Sequence, residues 1–252
     1  MIEVIDLHKS FDGVEVLKGV SLRVEKGHVL ALIGRSGYGK SVLLKHITGL
    51  MRPDKGRVLI DRRDICDLRG RELLEMRDRM GVLFQGGALF DSMTVYDNVA
   101  FPLREKTKLN KEEIRNKVMY ELAQVNLVGS EYKYPSQISG GMIKRASLAR
   151  ALVEAPEIML FDEPTTGLDP LTGQTILNLI DRCHSRAKFT SVIVTHEIPK
   201  VFGIDDKVAM LDGGCIVFEG RPDQIHSSRD PAVRAFIESS REGNTPGGGG
   251  SR

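Results

Sequence analysis

One run of residues limits the folds open to this chain more than any other: Gly34-Arg35-Ser36-Gly37-Tyr38-Gly39-Lys40-Ser41. A continuously apolar, strand-length segment, Val29-Leu30-Ala31-Leu32-Ile33, precedes it. An apolar segment of helical character, Val42-Leu43-Leu44-Lys45-His46-Ile47, follows it. Glycines let the backbone curl so that several N–H groups point at one anion, and the start of the following helix adds partial positive charge. Lys40 then sets an ammonium near the β- and γ-phosphates of a nucleotide, and the Ser41 hydroxyl offers a ligand to Mg²⁺. A glycine-rich turn with a chance lysine would not need this strand–turn–helix context.

Three further short apolar runs, Gly81-Val82-Leu83-Phe84, Ile158-Met159-Leu160-Phe161 and Val192-Ile193-Val194, read as strands buried on both faces of a parallel sheet. Helical patterns fall between them, which predicts an α/β core. Val20, Leu22 and Val24 alternate with Ser21, Arg23 and Glu25, the pattern of a half-exposed strand. Val208 to Leu211 and Cys215 to Phe218 flank Asp212-Gly213-Gly214 and predict a hairpin.

The interval from Gln85 to Ser139 is far longer than the ~15 residues a structureless loop reaches, so it must hold structure of its own. Asn110 and Glu113 form a capping-box pattern, followed by Ile114, Val118, Leu122 and Val125 at helical spacing. A second helix starts at Ser139 and runs towards Glu154, stopped by Pro156. The expected organisation is an α/β core with an antiparallel β part over residues 1–85 and 155–225, and an inserted helical subdomain over 86–154. Residues 222 to 240 predict one further helix through Val233, Phe236 and Ile237, giving a C-terminal helical extension at 226–242. The glycine-rich tail 243–252 has the composition of a flexible linker.

Two carboxylates close the Ile158–Phe161 run. Asp162 suits a Mg²⁺ site through the metal's water shell, and Glu163 suits the orientation and deprotonation of an attacking water. An ordinary acidic strand end is the alternative, and the phosphate loop weighs against it. His196 follows Val192-Ile193-Val194-Thr195 at the C-terminal end of a parallel strand, where α/β proteins place ligands, and predicts a γ-phosphate contact.

The segment Ile138-Ser139-Gly140-Gly141-Met142-Ile143-Lys144-Arg145-Ala146 supplies a second turn able to offer N–H donors to phosphate. It resembles the ABC signature, usually written LSGGQ. That resemblance spans residues 1 to 225 and implies a P-loop, RecA-like ABC ATPase core. It implies that Ser139, Gly140 and Gly141 bind in trans the ATP held by a second copy's phosphate loop. It makes Gln85 the Q-loop residue, sensing Mg²⁺ and the attacking water. It puts Asp169, in Gly167-Leu168-Asp169-Pro170, at the dimer seam beside the nucleotide, and makes His196 the switch histidine. Phe11 falls where the family stacks an aromatic on adenine, with a core position as its alternative.

Met142 replaces the usual glutamine of the signature and cannot reproduce its amide hydrogen bonds. Ser-Gly-Gly-Met followed by basic residues is similar to the ATPases of MCE-type lipid transporters, such as the Mla and Mce systems, and so is the stretch Leu83 to Glu105. This resemblance implies a membrane permease, an MCE-domain lipid-binding protein and a phospholipid or other hydrophobic cargo. It also implies peripheral attachment at the cytoplasmic face of the inner membrane. Ala88, Leu89, Phe90 and Met93 read either as a docking groove for a permease helix or as core of the helical lobe.

Charge and composition exclude several classes. Lys+Arg 36 against Asp+Glu 34 leaves a net charge of +2, which gives no bulk attraction to nucleic acid. No apolar run approaches the ~18 residues that span a bilayer. The N-terminus Met1-Ile2-Glu3-Val4 lacks a signal-peptide pattern, so membrane contact is expected through a partner. Cys66, Cys183 and Cys215 form no CxxC pair, as expected of a reduced compartment. A guanine-reading NKxD motif is absent, which weighs against a GTPase. A permease with a different cargo, a soluble ABC ATPase and an inactive ABC module remain the competing readings. Glu163 and His196 argue against the last.

Overall fold

The computed structural model describes residues 1–196 and 206–242, so the reading of 243–252 as a linker lies outside the described residues. Two sheets form. Strands β1 (Ile2–Phe11), β2 (Val14–Val24), β4 (Lys55–Ile60) and β5 (Arg63–Asp64) pair antiparallel in the order β2-β1-β4-β5. Strands β3 (Val29–Ile33), β6 (Met80–Leu83), β7 (Ile158–Asp162), β8 (Thr190–Thr195), β9 (Lys207–Asp212) and β10 (Cys215–Gly220) form the second, in the order β10-β9-β3-β8-β7-β6. Its pairs are parallel from β9 to β6, and the β9–β10 hairpin turns at Gly213-Gly214.

Period-2 side-chain alternation divides the larger sheet between two cores. Leu30, Leu32, Leu160, Val192 and Val194 face the antiparallel sheet and helix α1 (Lys40–Ile47). Ala31, Ile33, Met159, Phe161 and Ile193 face the other core. That core also takes in helices α3 (Val95–Lys106), α4 (Lys111–Gln124), α5 (Gly140–Leu152) and α6 (Pro170–Ala187). A short helix α2 (Gly70–Asp78) joins β5 to β6. The capping box forms as the sequence suggests: Asn110 Oδ1 accepts from Glu113 N at 3.0 Å and Glu113 Oε2 accepts from Asn110 N at 2.7 Å.

One expectation needs correction. The run Gly81–Phe84 is not a doubly buried strand. β6 is the sheet's edge, Met80 and Val82 are half-buried, and Phe84 is 39% exposed beyond the strand's end. An edge strand has one neighbour and fills only part of each face. The one further helix expected in residues 222–240 is present and carries Val233, Phe236 and Ile237, but it starts late in that interval. A 3₁₀ turn, Pro222–Ser227, is followed by helix α7 (Pro231–Glu242). Pro231 cannot extend a preceding helix, and the Asp230 carboxylate caps the new one through Ala232 N at 2.8 Å and Val233 N at 3.2 Å. Val233, Phe236 and Ile237 pack into the same core as α3 to α6 rather than into a separate unit.

The segment between β6 and α3 has little regular structure, and Asn98 of α3 organises it. This residue is fully buried. Its Nδ2 donates to the carbonyls of Phe90 (3.1 Å), Met93 (3.1 Å) and Thr94 (3.0 Å), while its Oδ1 accepts from Phe90 N at 2.7 Å. Asn98→Ala strands these groups, at ~1–3 kcal/mol for each left unsatisfied and less than additively in sum. A loss of ~3 kcal/mol corresponds to a fall in Tm of roughly 6–12 °C for a chain of this size. Thermal unfolding checks it, and a shift below about 2 °C would contradict the role.

Candidate functional site

The site stands at the C-terminal ends of β3, β7 and β8. β3 is followed by the phosphate loop, which turns into α1 at Gly39, whose φ of +94° is left-handed. A Cβ there would come within 2.9 Å of Leu17 Cδ2 and 3.0 Å of Val16 Cγ1, so only glycine fits the turn. Lys40, 4% exposed, folds back over the loop. Its Nζ donates to the carbonyls of Gly34 (2.8 Å) and Arg35 (2.9 Å) and lies 3.9 Å from Glu163 Oε1. Burial pushes this ammonium's pKa down, and the Glu163 and Asp162 charges oppose that shift.

β7 delivers the carboxylates. Ser41 Oγ donates to Asp162 Oδ1 at 2.7 Å, joining the first turn of α1 to the acidic strand end. Glu163 has φ of +47°, a left-handed conformation that costs energy for a residue with a side chain. Its N–H donates to the Val194 carbonyl of the neighbouring strand at 2.9 Å. Its carboxylate is the meeting point of four side chains. Thr166 Oγ1 donates to Oε2 at 2.9 Å, and Gln85 Nε2 approaches Oε2 at 3.4 Å. His196 Nδ1 lies 3.4 Å from Oε1, and Lys40 completes the set. His196 Nδ1 is buried and makes no hydrogen bond among the described residues.

A cleft of about 410 Å³ opens over these groups, lined by Phe11, Val16, Ser36, Gly37, Gly39, Lys40, Ser41, Val42, Gln85 and Glu163. Phe11 is 39% exposed at the rim and is not a core residue. Lys9 Nζ sits 5.5 Å from its ring centroid and is itself held by Asp54 Oδ1 at 2.8 Å. Gly34, Arg35 and Tyr38 belong to the same loop without lining the cleft.

Ser139, Gly140, Gly141 and Asp169 do not line this cleft. Ser139 caps α5, accepting from Met142 N at 3.3 Å, and is exposed. Asp169 caps α6 through Leu171 N (3.1 Å) and Thr172 N (3.0 Å), and the bonds from Thr172 hold its carboxyl below the usual range. The two caps are neighbours. A Cβ on Gly140 would stand 3.6 Å from Leu168 Cδ2, and one on Gly141 would clash with Thr172 Cγ2 at 2.7 Å. Leu171, 80% exposed, extends the shared face. Met142 is half-buried against the helical core.

The sequence reading left out Thr166 and Lys144. Thr166 is detectable as a hydroxyl three residues beyond Glu163 in a turn-forming Pro-Thr-Thr-Gly run. Lys144 follows Gly141 by three residues and precedes Leu148 by four, and both neighbours are buried, so helical spacing puts it on an inward stripe. Of the post-Gln85 apolar residues, Ala88 and Phe90 are exposed, and Leu89 and Met93 are half-buried.

The ABC transporter family profile matches residues 17–166. The chain is 47% identical over 242 residues to a Mycobacterium tuberculosis protein named Probable ribonucleotide transport ATP-binding protein mkl, covering 96% of this chain and 67% of that one. It is 42% identical over 228 residues to the intermembrane phospholipid transport system ATP-binding protein MlaF of Haemophilus influenzae, covering 90% and 86%. The fold superposes with TM-score 0.80 on a dimeric ATP-binding cassette in a post-hydrolysis state bound to ADP and Pi, at 31% identity over 88% of this chain and 99% of that one.

Proposed function

The chain belongs to the ABC transporter family of ATP-binding proteins, and from that membership we propose that it is the ATPase subunit of a lipid transporter, working as a homodimer beneath a membrane permease. It binds and hydrolyses ATP. The observation that carries the catalytic reading is the convergence of Lys40, Ser41, Asp162, Gln85, Glu163 and His196 around one cleft. The roles follow from position. The phosphate loop, Gly34 to Ser41, and Lys40 receive the phosphates. Glu163 serves as base for the attacking water, Gln85 and His196 hold the water and γ-phosphate in line, and Phe11 stacks on adenine.

Ser41 and Asp162 suit Mg²⁺. They are two hard oxygen donors already 2.7 Å apart, and Mg²⁺ takes few protein ligands when it also binds phosphates. Gln85 offers a third oxygen from the facing loop. Held by these residues, Mg²⁺ would supply neutralisation of phosphate charge.

The exposed caps at Ser139 and Asp169 support a two-copy site. A helix N-terminus carries unpaired N–H donors suited to phosphate, yet this one lies outside its own chain's cleft. Ser139→Arg is expected to leave ATP affinity of the monomer within about threefold, because the cap is worth only ~1 kcal/mol to the helix. In a Glu163→Gln background it is expected to abolish ATP-driven dimers in light scattering. Dimers that persist would end the trans assignment.

Among the described residues no helix is long and apolar enough to cross a membrane, so membrane work falls to a partner. The exposed Phe84, Ala88 and Phe90, with half-buried Leu89 and Met93, form the surface we assign to the permease helix. The peripheral position is then the cytoplasmic face. Phospholipid or another hydrophobic lipid is favoured over ribonucleotide by Met142 and the 83–105 stretch, which resemble the MCE-type ATPases, and by the MlaF relative. Affinity purification of the full chain from detergent-solubilised membranes tests it. Recovery of a permease with an MCE-domain protein, and ATP-dependent movement of phospholipid between vesicles by that assembly, is the expected result. An assembly that moves ribonucleotide and not lipid would overturn it.

A further inference from the structure

Lys144 is an anomaly in a helix interior. It lies on α5, five residues beyond the Ser139 cap, and is 5% exposed. It forms no ion pair among the described residues. Its Nζ instead donates to the backbone carbonyl of Gln85, while the charges of Asp162 and Glu163 act on it from the end of β7. A buried ammonium without a carboxylate is costly, and methionine would fill a similar volume without that cost.

Less than two turns along the same helix stands a second cation, half-buried, that also donates to loop carbonyls. Arg150 donates to the carbonyls of Ala88 (2.7 Å) and Gly87 (3.1 Å). Between the two lies Ser147, whose Oγ would be 2.7 Å from a Cβ on Gly87. Residues 144, 147 and 150 therefore run as one stripe along α5 against residues 85–88. The loop is turned sharply there, with left-handed φ at Gly87 (+78°) and Ala88 (+51°), and three of its carbonyls are held by this one helix. The Gln85 side chain meanwhile reaches Glu163 Oε2 at 3.4 Å.

We propose that Lys144 is a positioning residue for ATP hydrolysis, its buried ammonium tying the helix that begins at Ser139 to the Gln85 peptide and thereby setting where the Gln85 side chain meets Glu163. This rests on the hydrolysis reading of the same cleft. It makes α5 a connecting rod. One end presents the anion-binding turn, the flank grips the loop that carries Gln85, and a displacement of the helix is transmitted to the water-positioning amide. The ammonium makes its hydrogen bond to the Gln85 peptide, and its charge is also felt by Asp162 and Glu163 at the end of β7.

The full chain tests it with two readouts. In nucleotide-free protein, Lys144→Met is expected to raise amide exchange at residues 85–88 by about tenfold or more while the amides of α5 keep their protection. With Mg-ATP, the same variant is expected to lower kcat by about fivefold or more and leave nucleotide affinity within about threefold. Lys144→Arg, which keeps a cationic donor, should recover most of both losses. A smaller kcat loss in Lys144→Met overturns the proposal. So does a rise in exchange that spreads along α5, which would mark simple loss of packing, or an arginine variant no better than methionine. Glu163→Gln run alongside separates this from the parent reading: turnover surviving in Glu163→Gln sinks the hydrolysis assignment. Turnover lost there but intact in Lys144→Met sinks only the role of Lys144.

Discussion

Glu163→Gln is expected to cut steady-state ATP turnover by roughly 10²–10⁴-fold, the range for loss of a general base, while ATP binding is retained. The substitution is close to isosteric. Thr166 Oγ1, 2.9 Å from Oε2, can still donate to an amide oxygen, and the backbone bond to Val194 is untouched. The left-handed φ of +47° is as accessible to glutamine as to glutamate, so the backbone should keep its path. The change removes the negative charge and one acceptor oxygen, and puts an amide NH₂ near Lys40 and His196 in place of Oε1. Removing that charge from a cleft built to receive a polyanion should hold ATP affinity equal or raise it. ATP-bound dimers should therefore persist for lack of hydrolysis to release them. Single-turnover kinetics and light scattering with Mg-ATP measure both halves, and turnover near that of the unaltered chain would remove Glu163 from the role of base.

The way Glu163 is held bears on what the sequence could reveal. Its identity as the acid after an apolar run is a local fact, and so are the strand–turn–helix around Lys40, the Asn110–Glu113 capping box and the Gly213-Gly214 hairpin. Each is set by residues within a few positions of one another, through backbone sterics and side-chain-to-backbone bonds. The contacts that bring these residues together are not local. Gln85 reaches Glu163 across 78 positions, Ser41 reaches Asp162 across 121, and Lys144 grips a carbonyl 59 residues away. No period or propensity encodes such pairs. The Ser41–Asp162 meeting is legible from the shared Mg²⁺ chemistry of a phosphate loop and an acidic strand end, the role of Gln85 only through the family resemblance, and the grip of Lys144 from neither.

The one misread strand has the same origin. Gly81–Phe84 has the composition of a central strand, but strand order, a tertiary property, put it at the edge. Phe11 could be read as core or as a base-stacking residue, since a lone aromatic at the end of a strand carries no periodic signal. Its exposure beside the phosphate loop decides against the core. The start of α7, inside the interval where the sequence places one helix, is again local, because Asp230-Pro231 is a helix-start pattern.

Lys40→Ala is expected to weaken ATP binding by about a hundredfold or more. Its ammonium is 4% exposed and stands among the loop carbonyls of Gly34 and Arg35 and the carboxylate of Glu163. A charged hydrogen bond is worth ~1.5–3 kcal/mol, so two such bonds to phosphate oxygens amount to about 3 kcal/mol or more, which is a factor above 10² in Kd. The charge balance of the site moves in the same direction. Without Lys40, Asp162 and Glu163 face an incoming triphosphate with one fewer buried cation between them. The loop carbonyls of Gly34 and Arg35 also lose their donor, so a fall in Tm of a few degrees should accompany the change. Calorimetric titration with ATP separates the two effects, because a loop that merely loosens weakens ATP and adenosine binding alike. Loss of the ammonium instead weakens the triphosphate and spares adenosine. Unchanged ATP affinity in a folded Lys40→Ala chain would refute the phosphate-loop assignment.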